Sequence, residues 1–143
     1  MSVGLLLITH NRIGSELLAT ATATFGGCPT AARTLSVGSE ADPDQLLADA
    51  RRQLHEIDSG SGVLVLTDCF GSTPSNIANR LLDEGSVRIV SGVSLPMLIR
   101  VMNYARLALG ELADKAVSGG CEGVVLSGPS REQARGRELD KNT

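Results

Sequence analysis

A histidine that closes one apolar run and an aspartate that closes another are the side chains of this sequence best placed to do chemistry. The first run is Val3 to Ile8, interrupted only by Gly4, and it stops at Thr9-His10-Asn11. The second is Val63 to Leu66, which stops at Thr67-Asp68 and continues into Cys69-Phe70-Gly71-Ser72-Thr73-Pro74. A carboxylate beside a histidine takes the proton of one ring nitrogen and fixes the tautomer, which leaves the lone pair of the other nitrogen free. It also stabilises the imidazolium-like charge that develops on attack. Beyond the aspartate, Gly71 allows close backbone approach. The amides and hydroxyls of Ser72 and Thr73, with a helix start at Thr73-Pro74, are all donors or positive ends. Together they describe an oxyanion or phosphate cradle next to His10. Helix capping accounts for Thr73-Pro74 alone. It does not account for Asp, Gly, Ser and Thr gathered in one stretch.

The surrounding elements must bring these residues together. Both apolar runs are too short for a membrane span and read as strands buried on both faces. Residues 12 to 25 carry Ile13, Leu17, Leu18 and Ala21 on one helical stripe, ended by Gly26-Gly27-Cys28-Pro29. Ala31 to Val37, with Arg33 and Ser36 in it, suits a sheet edge. Asp42-Pro43-Asp44-Gln45 opens a helix with a cap, a proline in the first turn and a glutamine three residues after the cap. Its buried stripe is Leu46, Leu47, Ala50, Leu54 and Ile57, and His55 reads as a surface residue of the same helix. A helix from Thr73-Pro74 to about Glu84 turns Ile77, Ala78, Leu81 and Leu82 inward. A strand over Val87 to Val93, a helix from Leu95 to about Leu107 and a short helix over Glu111 to Val117, ended by Gly119-Gly120, follow. Val124 to Leu126 predicts a last short strand. The stretch from Ser130 is charged and nearly without apolar residues, so residues 1–129 read as the domain and 130–143 as a polar tail.

This alternation predicts an α/β fold, a three-layer sandwich with a mainly parallel sheet and right-handed crossovers. The two most apolar strands, first and third, belong at the centre, with the second outside the first. The strand order is then 2-1-3-4, and it reverses between strands 1 and 3. Their carboxyl ends flank the crevice in which such sheets bind ligands, and those ends carry His10 and Asp68.

Bulk properties and missing motifs exclude other classes. A chain of 143 residues supports one domain with one sizeable core. With two Phe, one Tyr and no Trp, the core rests on aliphatic side chains, and stacking platforms for single-stranded nucleic acid are missing. A net charge of −3 without a basic run gives no nucleic-acid footprint. Cys28, Cys69 and Cys121 form no CxxC pair, which suits a reducing cytoplasm and gives no zinc signal. No positively charged leader precedes the first apolar run, so a cytoplasmic protein without signal peptide or membrane helix is expected. A response-regulator receiver would need an acidic pair after strand 1 to hold magnesium, and Thr9-His10-Asn11 stands there. A cysteine-dependent phosphatase would need an arginine six residues after Cys69. Ser75 occupies that position, so Cys69 reads as a buried small residue. His10-Asn11-Arg12-Ile13-Gly14 supplies no dinucleotide-binding glycine pattern. Neither a metal nor a cofactor is expected.

Three segments taken together are specific. Leu5-Leu6-Leu7-Ile8-Thr9-His10, Thr67-Asp68-Cys69-Phe70-Gly71-Ser72-Thr73-Pro74-Ser75-Asn76 and Ser91-Gly92-Val93-Ser94-Leu95-Pro96-Met97-Leu98 resemble the IIA component of the mannose-family sugar phosphotransferase system, with the likeness running from Met1 to about Leu126. The resemblance implies a cytoplasmic phosphocarrier. It would accept a phosphoryl group from the phosphohistidine of HPr on Nε2 of His10, with Asp68 as the orienting carboxylate. It would pass the group to a IIB component and so to sugar at the membrane IIC/IID transporter. It also implies a homodimer in which the last strand pairs with the partner's sheet. Ser72 stands where that family often has a glycine before the Ser-Pro pair, and Thr73 keeps the hydroxyl before the proline. No IIB domain follows in this sequence, so the acceptor is expected to be a separate protein. A related carrier serves dihydroxyacetone kinase, and a regulatory or anion-binding module of the same fold is the alternative in which His10 and Asp68 only bind.

Overall fold

Strand β1, Gly4–His10, holds the centre of the protein, and its side chains are buried from Gly4 through Thr9. The structure, a computed structural model, describes residues 2–129, so the polar tail expected over 130–143 lies outside the described residues. The remaining elements follow in chain order: α1 Ile13–Phe25, β2 Ala32–Val37, α2 Pro43–Ile57, β3 Val63–Thr67, α3 Thr73–Asn79, β4 Val87–Ser91, α4 Leu95–Asn103 and α5 Leu109–Glu122. The four strands form a parallel sheet in the expected order β2-β1-β3-β4.

Alternation along β1 divides the core into two layers. Leu6 and Ile8 join Val65, Val37 and the apolar stripes of α2 and α3. Leu5 and Leu7 join Leu64, Leu66 and side chains of α1, α4 and α5. Helices therefore cover both faces, which is the three-layer arrangement. Leu5, Leu6, Leu7 and Ile8 are fully buried, and burial of each stabilises by about 1.5–3 kcal/mol. The same alternation puts His10 on the α2/α3 side, in phase with Leu6 and Ile8.

The helix starts follow the sequence closely. The Asp42 carboxylate accepts from the Asp44 amide at 3.1 Å, and Pro43 sits in the first turn of α2. Gln45 does not complete a capping box, because its amide reaches forward to Asp49. The expected stripe of α2, from Leu46 to Ile57, is buried throughout. Gly26 closes α1 in the left-handed conformation, its amide bonded to the Thr22 carbonyl.

Several expectations need correction. Helix α3 stops at Asn79 rather than Glu84, because the chain tightens into i→i+3 bonds from Arg80 to Ile77 and from Leu81 to Ala78. Leu82 falls in that turn and is 47% exposed; Ile13, at the start of α1, is likewise exposed. Strand β4 ends at Ser91, where Gly92 takes a positive φ, and α4 ends at Asn103. Cys69 is exposed rather than buried. Val124 to Leu126, expected as a strand, is irregular and exposed, since no described strand lies beside it to complete a ladder.

The largest correction concerns Gly119-Gly120, which does not end a helix but lies inside α5. A Cβ built on Gly119 would stand 2.6 Å from Cβ of Arg100, and one on Gly120 would stand 2.9 Å from Cε of Met97. These glycines let α5 approach α4 closely. Gly119→Ala is therefore expected to lower stability. Alanine favours a helix over glycine by about 1 kcal/mol, but overpacking a tight contact costs about 1–3 kcal/mol. Gly110→Ala meets open space in the same helix and is expected to leave stability unchanged or raise it by up to about 1 kcal/mol. Urea denaturation of the two variants side by side checks the opposite signs.

Candidate functional site

The carboxyl end of β1 is pinned on both sides of His10. Thr9 is buried, and its hydroxyl accepts the Gly14 amide at 2.7 Å, tying the strand to the first turn of α1. The Asn11 amide donates to the Val37 carbonyl at 3.0 Å, and Asn11 adopts a positive φ of 48° that turns the chain away. His10 is thus held on a short rigid corner between two anchored residues.

The end of β3 is anchored in a similar way. The Thr67 hydroxyl donates to the Ser91 hydroxyl at 2.9 Å, and the Thr67 carbonyl accepts the amides of Gly92 and Val93. Asp68 follows directly. Its Oδ2 lies 2.8 Å from Nδ1 of His10 and accepts the His10 backbone amide at 3.2 Å. Oδ1 is buried and has no hydrogen-bond partner among the described residues, so Oδ2 alone carries the interaction with His10. The Asp68 side chain is 12% exposed and the His10 side chain 44%. A carboxylate can only accept, so Nδ1 carries the proton, and Nε2 is left as the free nitrogen of a half-exposed ring. This arrangement suits a nucleophile or base whose proton is held from behind.

The loop after Asp68 is a tight turn. Gly71 has a φ of +81°, which glycine adopts without steric penalty. Ser72 is the residue before α3, and its hydroxyl donates back to the Cys69 carbonyl instead of capping the helix. The cap expected at Thr73 therefore moves to Ser72, and Thr73 becomes the first residue of the helix. The Ser72 amide also faces the Cys69 carbonyl, at 3.4 Å. Of the three expected cradle residues, Thr73 shares a cavity with His10, while Ser72 has its hydroxyl proton committed elsewhere.

That cavity, of about 480 Å³, opens on the β1/β2 side of His10 rather than between β1 and β3. Gly38, Ser39 and Ala41 of the β2–α2 loop and Pro43 form its other walls. The signal for this loop was present in the strand order: β2 lies beside β1, and Val37 pairs with His10, so the residues after Val37 must border the histidine. Asp68 is marked by its chemistry, whereas Gly38 and Ser39 are marked only by their place beside β1. Among the described residues, no group of three or more His, Cys, Asp or Glu could hold a metal ion, and no helix is long and apolar enough to cross a membrane.

Comparison with known proteins bears on the chain as a whole. Residues 4–117 match the EIIA-man family, described as the PTS system fructose IIA component. The PTS system mannose-specific EIIAB component of Escherichia coli K12 is 31% identical over 128 residues, covering 87% of this chain and 39% of that protein. The chain thus spans about two fifths of the length of the curated relatives of this kind. Among solved structures, the mannose/sorbose specific IIA subunit from Enterococcus faecalis superposes with a TM-score of 0.79 at 27% identity, covering 92% of this chain and 98% of that one. The PTS IIA protein associated with the fucose utilization operon of Streptococcus pneumoniae gives 0.74 at 28% identity, covering 88% and 96%.

Proposed function

The chain belongs to the EIIA-man family of phosphotransferase-system IIA components, and we propose that it is a phosphohistidine carrier. In this reading Nε2 of His10 attacks the phosphorus of phosphorylated HPr. The N–P bond of the donor breaks, its electron pair returns to the donor imidazole, and a new N–P bond forms on His10. A IIB component then takes the phosphoryl group by the same kind of displacement, with His10 as the leaving group, and delivers it toward sugar at a membrane IIC/IID transporter. The observation that carries the reading is the 2.8 Å contact between Nδ1 of His10 and Oδ2 of Asp68. It frees Nε2 and places a negative charge behind the ring that turns positive on attack.

Gly71, Ser72 and Thr73 form the phosphoryl cradle in this proposal, with Thr73 lining the same cavity as His10. Gly71 sets the turn, and Ser72 holds the loop closed through the Cys69 carbonyl. The carrier works in the cytoplasm and needs neither metal nor cofactor. It acts as a homodimer in which Val124 to Leu126, exposed at 85%, 76% and 72%, pairs with the sheet of a second copy.

Incubation with phosphoenolpyruvate, enzyme I and HPr is expected to raise the intact mass by one phosphate. The label is expected to leave in mild acid, where protonation makes imidazole a good leaving group, and to survive alkali and, at short times, neutral hydroxylamine. An acyl phosphate on Asp68 would behave in the opposite way, because hydroxylamine and hydroxide attack its carbonyl. Rapid loss to hydroxylamine would move the acceptor to Asp68. No mass shift at all would leave the anion-binding module as the function.

A further inference from the structure

No lysine or arginine lines the cavity beside His10. Arg12, the nearest cation in the sequence, is paired with Glu16 at 3.1 Å. The charges that are close are negative: Asp68 stands behind the ring, and Glu40 and Asp42 lie in the loop that walls the cavity. A phosphoryl group is an anion rich in acceptor oxygens. On His10 it must therefore be held by neutral donors. Three residues on the cavity wall carry such a donor in the side chain, Asn11, Ser39 and Thr73. Asn11 turns the chain after β1, and Thr73 belongs to the cradle already described. Ser39 has no role so far.

The fold holds Ser39 in place from both sides. Val37 pairs with His10, and its carbonyl accepts the Asn11 amide, so the chain leaves β2 beside the histidine. The Ala41 amide then donates to the Gly38 carbonyl at 3.4 Å, which closes a turn around Ser39 and Glu40. Asp42 caps α2 directly afterwards, with Pro43 in its first turn. On this anchored turn the Ser39 hydroxyl has no hydrogen-bond partner among the described residues, whereas the Ser72 hydroxyl is committed to the Cys69 carbonyl. A hydroxyl without a protein partner is ordinary on an open surface, where water satisfies it. This one lines the same cavity as the reacting histidine. Nδ1 of His10 points at Asp68, at the end of β3, so Nε2 points away from Asp68, and the cavity lies on the side of β1 away from β3.

Building on the phosphocarrier reading, we propose that the Ser39 hydroxyl donates a hydrogen bond to the phosphoryl group carried on Nε2 of His10. The β2–α2 loop thereby shares the phosphoryl group with Thr73 of α3. Neutral donors hold the group without the attraction of a full positive charge, which suits a carrier that must also give it up.

The test is the equilibrium of phosphoryl exchange between the full chain and HPr. Docking contacts cancel from an equilibrium taken between free proteins, so it reports only how well the phosphorylated form is held. Ser39→Ala is expected to shift that equilibrium about tenfold toward phospho-HPr, about 1.4 kcal/mol. Ser39→Thr, which keeps the hydroxyl, is expected to stay within about threefold of the unaltered protein. Neither change removes a hydrogen bond of the fold, so the unphosphorylated variants are expected to unfold in urea at the same midpoint as the unaltered protein. An unchanged equilibrium in Ser39→Ala overturns the proposal even where the forward rate falls, since a rate effect alone makes Ser39 a docking contact. A Ser39→Thr variant shifted as far as Ser39→Ala also overturns it, because the shape of the loop and not the hydroxyl then matters. If the unaltered protein takes no phosphate from phospho-HPr, the phosphocarrier reading fails first, and this proposal with it.

Discussion

His10→Ala is expected to accept no phosphate from phospho-HPr while keeping the native fold. Phosphoryl incorporation should fall to background, because no other side chain at the carboxyl ends of the strands combines a free nitrogen lone pair with a carboxylate behind it. The fold should survive, because the His10 ring is 44% exposed and adds little to either core layer. The variant does strip Asp68 of its Nδ1 partner, but Oδ2 still accepts the backbone amide of residue 10, which any amino acid supplies. The change in stability should therefore stay within about 1–2 kcal/mol. Intact-mass measurement after incubation with the donor system, together with urea denaturation, reads both halves. Retained phosphorylation in a natively folded variant would remove His10 as the acceptor.

The features legible in the sequence were those set by strong local chemistry. Six apolar or small residues ending in Thr9-His10 have few alternatives to a buried central strand, and Val63 to Leu66 repeats the pattern. Once both are central, the β2-β1-β3-β4 order follows, and the meeting of His10 with Asp68 follows from that order. Helix α2 was readable because cap, proline and stripe agreed along its length. The misread features depend on contacts far away in the chain. A glycine pair signals a helix end or a close approach, and only the presence of Arg100 and Met97 across the interface decides for the second at Gly119 and Gly120. Val124 to Leu126 has strand composition, and the ladder expected for it lies on a second copy, no described strand being beside it. Cys69 resembles a core residue by type, yet it occupies the turn that carries Asp68 into α3 and so faces outward. The Gly38–Ser39 wall of the cavity has no chemical signature of its own and becomes visible only from its place beside His10.

Asp68→Asn is expected to slow phosphoryl transfer by about 10²–10⁴-fold in both directions while the domain stays folded. The amide has the shape of the carboxylate, so the reason lies in hydrogen-bond accounting and charge. Oδ2 of Asp68 meets two donors, the His10 backbone amide and Nδ1–H, while Oδ1 is buried with no partner. An asparagine can point its oxygen or its NH₂ at His10. With the oxygen toward His10, the tautomer is kept, but the NH₂ is buried at the Oδ1 position without an acceptor, at a cost of about 1–3 kcal/mol. With the NH₂ toward His10, it faces the backbone N–H donor against donor, and the ring must accept on Nδ1. The proton then moves to Nε2, and the nucleophilic lone pair is lost. In both orientations the neutral amide leaves the developing imidazolium charge without its counter-charge, so forward transfer from phospho-HPr and return transfer to HPr should slow together. Single-turnover rates in the two directions measure the loss, and ¹⁵N spectra of the imidazole report which nitrogen holds the proton. Rates equal to those of the unaltered protein would reduce Asp68 to a structural tie between β1 and β3. A lowered rate with a normal tautomer would assign the effect to charge alone.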